Sequence, residues 1–212
     1  MLEKISPPET LADIAYREIK QAIIQSKFQP GDLLPEETLA SMLGISRTPL
    51  RKAISKLAFD GLVELENGKV ARVAVISNKD REHFLSLRKL LEVFATEQAV
   101  PFINDQAIQR LKHLMVAQKQ SIDNKDWNDF ITLDFEFHVT IAEISQNQKL
   151  KEFIEQININ LHRYLILAGS LEESSFKAYE EHIEIIRSLE ERNAQKAKDA
   201  MTRHMDNIQK RL

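Results

Sequence analysis

The 212 residues carry 29 Lys and Arg against 32 Asp and Glu, a formal charge of −3, and no cysteine. Without a thiol the chain can form no disulfide, thiolate zinc site or cysteine nucleophile, and its composition suits a reducing compartment. Prolines and acids fill the first twenty residues, where a secretory leader needs an apolar run, and no apolar stretch is long enough to span a bilayer; neither export nor a membrane association is expected, and the cytoplasm is the expected location.

The length suits one large domain or two small ones, and the charge is unevenly spread. Residues 1–76 hold ten basic and ten acidic side chains, so the acidic excess belongs to the remainder. Between Glu37 and Asp60 there is no acid, while Arg47, Arg51, Lys52 and Lys56 fall in that gap. This local basic island matters more for nucleic-acid binding than the net charge does.

In chain order, Leu11, Ile14, Ala15, Ile19, Ala22 and Ile23 recur at helical spacing, which predicts a first helix over 11–26, stopped by Pro30-Gly31. Pro35 followed by Glu36 and Glu37 suits the first turn of a second helix, because proline lacks only a donor that is orphaned there and the acids favour the helix dipole. That helix ends at Leu43-Gly44. Ser46 then caps a third whose apolar face is Leu50, Ala53, Ile54 and Leu57. After Asp60-Gly61 the pattern becomes β-rich on both sides of Asn67-Gly68, a strong signal for a tight two-residue hairpin. Three helices and a hairpin predict a winged helix-turn-helix over 1–76.

In a helix-turn-helix the N-terminal residues of the second, recognition helix meet base edges in the major groove, which places Ser46, Arg47, Thr48 and Arg51 as readers of double-stranded operator DNA. Arginine contacts guanine through two parallel hydrogen bonds, and hydroxyls and helix N-terminal amides hold phosphates. Lys52, and Asn67 and Gly68 with Lys69 at the wing, are placed for backbone or minor-groove contact. Four basic residues alone would read as a solvated helix face; the turn and wing around them favour DNA. The segment LLPEETLASMLGISRTPLRKAISKLAFDGLVEL, after Pro30-Gly31, resembles the DNA-binding domain of the GntR family of bacterial regulators. That resemblance implies operator contact by Ser46, Arg47, Thr48 and Arg51. The wing is shorter than the family's usual one.

From Ser77 onward no strand signal remains and Gly169 is the only glycine. Helices are predicted at 78–100, 104–123, 126–145, 148–169, 174–191 and 194–210, giving a mainly α chain whose second part, 77–212, is an all-α antiparallel bundle for effector binding and dimerisation. Asp134 and His138, four apart, share one helix face. His182 and His204, on two later helices, sit among apolar residues at helical spacing. Three imidazoles and a carboxylate suit a divalent metal, zinc or nickel first, with positions left for a ligand. His83, His113 and His162 are read as ordinary surface or core residues, and Trp127, Phe130, Phe135 and Phe137 as packing.

The segments DFEFHVTIAEISQNQKL and EHIEIIRSLEERNAQKAKDAMTRHM resemble the helical FCD domain of the fatty-acid-regulator branch of the same family. The resemblance implies Asp134, His138, His182 and His204 as the metal ligands. Arg88 and Glu92, beside the apolar stripe of Leu87, Leu90, Leu91 and Phe94, read from spacing alone as a surface ion pair. The resemblance instead implies that Arg88 enters the ligand cavity and binds a small carboxylate effector. The expected protein is a homodimeric, ligand-controlled regulator. A helical metalloenzyme is the alternative, but no general base or oxyanion donors accompany the metal set; a purely structural metal site is a third reading.

Overall fold

The computed structural model describes residues 9–66, 69–168 and 171–211. The chain divides into two compact units between Ile76 and Ser77. The first contains α1 (Leu11–Ile24), α2 (Glu36–Leu43), α3 (Arg47–Phe59), β1 (Val63–Glu64) and β2 (Arg72–Val73). A capping box starts α1: the Thr10 side chain accepts from the Asp13 amide while Asp13 reaches back to the Thr10 backbone. Its buried face of Ala12, Ala15, Ile19 and Ile23 packs on Leu50, Ala53, Ile54 and Leu57 of α3. Between α2 and α3 the backbone reverses through Gly44 at φ +64°, a left-handed conformation that a Cβ would strain.

The wing differs from the predicted tight hairpin. Its ladder pairs Val63 with Val73 and Glu64 with Arg72, whereas a two-residue turn at Asn67-Gly68 would set Val63 opposite Arg72. Val63 and Val73 are both buried, and the tight-turn register would set Val63 opposite the exposed Arg72 and break the shared apolar face. The Lys69 amide donates to the Glu66 carbonyl at 3.0 Å, and Asn67 and Gly68 themselves lie outside the described residues. The return strand also bonds on its other edge: Gly31 N to Val73 O at 2.9 Å, Val73 N to Asp32 O at 2.9 Å and Leu34 N to Ala71 O at 2.7 Å. Residues 31–34, too short and too hemmed by prolines to read as a strand, thus act as a third edge of the wing.

The second unit is helical throughout its described residues: α4 (Asn78–Ala99), a 3-10 turn (Val100–Phe102), α5 (Asp105–Asp123), α6 (Trp127–Ile144), α7 (Gln148–Ala168), α8 (Leu171–Glu190) and α9 (Ala194–Arg211). Ser77, Asn104 and Asp126 cap α4, α5 and α6 with side-chain oxygens. With so little glycine, chain reversals use other residues in the left-handed region, Lys125 at φ 57°, Gln146 at 59° and Arg192 at 51°. The core joins Leu111 of α5, Ile131 and Phe137 of α6, Leu161 of α7, Ile185 and Leu189 of α8 and Met201 of α9.

Helix α4 inverts the expected amphipathic pattern. Three of the four residues of the predicted apolar stripe, Leu87, Leu90 and Phe94, are exposed and Leu91 is half-buried against the core, while Arg88, Glu92 and Thr96 are buried beside Leu85, Ala95 and Ala99. Arg88 and Glu92 are each 1 % exposed, so the surface ion pair that spacing suggested is an interior one. The physical reason lies inside the bundle: polar partners on α6, Asp134 for Arg88 and His138 for Glu92, await those side chains.

Replacing Gly44 by Ala places a Cβ in open space, so the cost comes from φ alone. A Gly44→Ala variant is expected to lose about tenfold in amide-exchange protection across α2 and α3, with α5 and α6 unchanged.

Candidate metal centre and DNA-reading face

Helices α6, α8 and α9 bring Asp134, His138, His182 and His204 together, all buried, with one donor atom from each within 4.8 Å of the others. His182 Nε2 and His138 Nε2 each lie 3.3 Å from His204 Nε2, and Asp134 Oδ1 lies 3.4 Å from His182 Nε2. An ion bound about 2.0 Å from each nitrogen in tetrahedral geometry requires donor separations of about 3.3 Å. Three of the donor separations match that spacing and all lie within 4.8 Å, so the cluster suits a divalent metal of the zinc class once the donors draw together around it.

The opposite sides of the three rings support this assignment. His138 Nδ1 lies 2.6 Å from Glu92 Oε2, His182 Nδ1 lies 3.0 Å from Gln118 Oε1, and His204 Nδ1 lies 2.7 Å from Glu181 Oε2. Each of these facing atoms is an acceptor, which assigns the ring proton to Nδ1 by hydrogen bonding in His182 and His204 and by close approach in His138, and turns the Nε2 atoms inward. Three lone pairs and a carboxylate aimed at one point repel one another unless a cation lies between them. Fixing the ligand tautomer through the far nitrogen is the usual role of such outer partners.

Burial, then the neighbouring His204 and His138, push the His182 pKa well below its ordinary value. His204 is also lowered, chiefly by burial, against the opposing effect of Glu181. Both are neutral at neutral pH, as ligation requires. Burial opposes ionisation of Glu92, but Arg88 and His138 outweigh it and hold its pKa at about 2. Glu181 is likewise held at about 2 against its own burial, by hydrogen bonds from His204 and Arg211. Arg211 donates to both Glu181 oxygens, at 2.8 and 2.9 Å, and Asn207 donates to one of them.

Arg88 joins this network from α4. Its Nε donates to Glu92 at 2.6 Å, its terminal NH2 lies 3.2 Å from Asp134 Oδ2, and its guanidinium stands over the Phe135 ring. It also lines a small cavity of about 40 Å³ with Asp134, Phe130, Leu165, Ser174 and Arg211. Phe137 stacks on His182 with ring centres 4.3 Å apart. The aromatics read as packing residues thus also frame the centre.

His83 and His113 are exposed, and His162, though buried, stands outside the donor set, its Nε2 2.9 Å from Asn128 Oδ1. Gln118, Glu181, Asn207 and Arg211 were missed from sequence. Asn207 and Arg211 follow His204 at i+3 and i+7, a spacing that puts them on its face; nothing local marks Gln118.

On the first unit, Ser46, Arg47, Thr48, Arg51 and Lys52 are all exposed along the start of α3. Ser46 occupies the cap position, yet its side chain makes no cap hydrogen bond, leaving the hydroxyl for another acceptor or donor. Arg47 pairs with Glu37 at 3.0 Å and Arg51 with Glu36 at 2.8 Å.

A winged helix carrying arginines at the head of its second motif helix, followed by a helical unit with a buried Asp and three His, defines a ligand-responsive transcription regulator rather than an enzyme. Residues 11–73 match the family model of bacterial regulatory proteins, gntR family, and residues 83–207 match the FCD domain. The chain belongs to the GntR family and carries its FCD domain. It is 24 % identical to the HTH-type transcriptional repressor RspR of Escherichia coli over 97 % of this chain and 90 % of that protein. It is 29 % identical to the HTH-type transcriptional repressor NanR of Salmonella newport, over 93 % and 84 % respectively. The solved structure of E. coli McbR/YncC has the same fold, with a TM-score of 0.80, 22 % identity and coverage of 95 % of this chain and 97 % of that one.

Two outcomes follow from this geometry. Glu181→Ala is expected to weaken zinc binding by about 10- to 100-fold in a competition titration against a chelating dye, and Glu181→Gln, which keeps an acceptor, by less. The His162 pKa is lowered from 6.5 to about 4 by burial, so its stabilisation is complete above pH 6.5 and is lost as pH falls toward 4. Between pH 7 and pH 5, His162→Gln is expected to lose about 2 kcal/mol less stability than the unaltered protein, measured by urea denaturation with chelator present.

Proposed function

We propose that this protein is a metal-dependent sensor of a small organic acid that controls transcription by binding a palindromic operator as a homodimer in the cytoplasm. The convergence of Asp134, His138, His182 and His204 beside the buried guanidinium of Arg88 carries this reading. A bound divalent ion, zinc or nickel by the nitrogen-rich donor set, supplies positive charge and open coordination positions for an anionic ligand. Arg88 is the second anchor: a ligand carboxylate exchanges with Asp134 for its terminal nitrogens, while Glu92 keeps hold of Nε. The cavity of about 40 Å³ accommodates a water or two, so an organic ligand enters only as side chains around it move. That movement is the natural source of the different affinities for two arrangements that ligand control demands.

Ser46, Arg47, Thr48 and Arg51 are the proposed readers of the operator, with Lys52 and the wing residues Asn67 and Gly68 as backbone contacts. One short recognition helix covers a half-site, so useful affinity needs two copies about one helical turn of DNA apart. The exposed Leu87, Leu90 and Phe94 of α4 are the proposed meeting surface for a second copy. Repression is the proposed sign of control, since RspR and NanR are both named repressors.

Elemental analysis is expected to find about one metal per chain, lost on chelation and in His182→Ala. A small carboxylate that raises the melting temperature only of the metal-loaded protein separates a sensor from a purely structural site. No metal in purified protein and none taken up from zinc or nickel would overturn the sensor reading while leaving the DNA-binding one intact.

A further inference from the structure

Both arginines expected to read DNA are held by carboxylates from the first turn of α2, and the two pairs differ in which nitrogen is used. Glu36 Oε2 accepts from Arg51 through Nε at 2.8 Å. Nε lies on the side edge of the guanidinium, so this contact leaves the end edge, with both terminal nitrogens, directed away from the carboxylate. The end edge makes the two-bond contact with guanine O6 and N7. Glu37 Oε1 instead takes a terminal nitrogen of Arg47, NH2, at 3.0 Å. That contact occupies half of the end edge, and the arginine cannot present its fork intact until the pair opens.

We propose that Glu36 is a positioning residue that aims Arg51 at the operator, whereas Glu37 restrains Arg47 and is displaced when DNA binds. The inference rests on the reading of Arg47 and Arg51 as DNA contacts. Burial separates the two glutamates in the same sense: Glu36 is half-buried with its side chain 36 % exposed, and Glu37 is 84 % exposed. A half-buried carboxylate holds its partner in one geometry, and a solvated one exchanges it readily. Exposed ion pairs contribute only about 0.2 to 1 kcal/mol, so opening the Arg47 pair lowers DNA affinity by no more than about fivefold.

Charge repulsion between either glutamate and phosphate acts alike on any duplex, so the informative quantity is the ratio of affinities for two DNAs. The test uses the full chain with zinc, a duplex selected by the wild-type protein from a random-sequence pool, and a scrambled duplex of equal length, measured by fluorescence anisotropy. Glu36→Gln, which keeps a neutral acceptor for Nε, is expected to lower the selected-to-scrambled ratio about two- to fivefold, part of the worth of one two-bond guanine contact. Glu37→Gln is expected to raise affinity for the selected duplex about two- to fivefold with no fall in the ratio. Adding Glu36→Gln to Arg51→Ala is expected to change the ratio no further, because Glu36 acts through Arg51. An unchanged ratio in Glu36→Gln, with both duplexes bound more tightly, would show the glutamates to be general repellents and overturn the proposal. A ratio unaffected by Arg51→Ala would instead overturn the assignment of Arg51 on which it rests.

Discussion

Three imidazole lone pairs and a carboxylate turned toward one point in the middle of a helical unit are unfavourable on their own, and most of the architecture around them answers that fact. Leucine and isoleucine can bury the faces of α5 to α9 against each other, but they do not explain why a carboxylate or amide backs each ring. The outer partners commit every ring to one tautomer, and the cost of holding four donors together is offset only by what binds among them. Asp134 divides its two oxygens accordingly, one toward His182 and the other toward Arg88.

Arg88 shows how the same constraint reshapes a helix. A buried guanidinium is tolerable when anions neutralise it and accept its hydrogen bonds, and Glu92 and Asp134 do both. To bring Arg88 and Glu92 inward, α4 turns Leu87, Leu90 and Phe94 outward. The inverted helix is therefore two observations in one: its polar side completes the interior centre, and its apolar side is left on the surface of the single chain.

Much of this was legible in the sequence, for reasons that can be named. Helix limits were readable because caps such as Thr10, Ser77 and Asn104, and the Gly44 turn, act within four residues of themselves. That Asp134, His138, His182 and His204 belong together was readable because Asp134 and His138 share a helical face and the two family resemblances align across the chain. What escaped depended on contacts distant in sequence. The wing register follows from Val63 and Val73 reaching the same core, and its extra edge from residues 31–34, which carry no periodicity of their own. Gln118 backs His182 across 64 positions, and nothing near it in the chain marks it out. Spacing read Arg88 as a surface residue because the test for burial is what lies opposite, and that lies on α6.

The backing groups also divide the helices of the second unit unequally. Donors come from α6, α8 and α9, and the residues that steady them come from α4, α5 and α8. Among the described residues, α7 gives neither, and it meets its neighbours mainly through Ile154, Ile157, Leu161 and Leu165. The centre is thus a clasp across five helices, and the sixth stands outside it, held by that apolar packing and by polar contacts away from the centre such as His162 to Asn128 and Lys151 to Glu143. Under the proposed sensor role, a guest arriving beside Leu165 would press on a wall that supplies none of the four clustered donors, so shape would change on one side of the cavity while the charged side keeps its geometry.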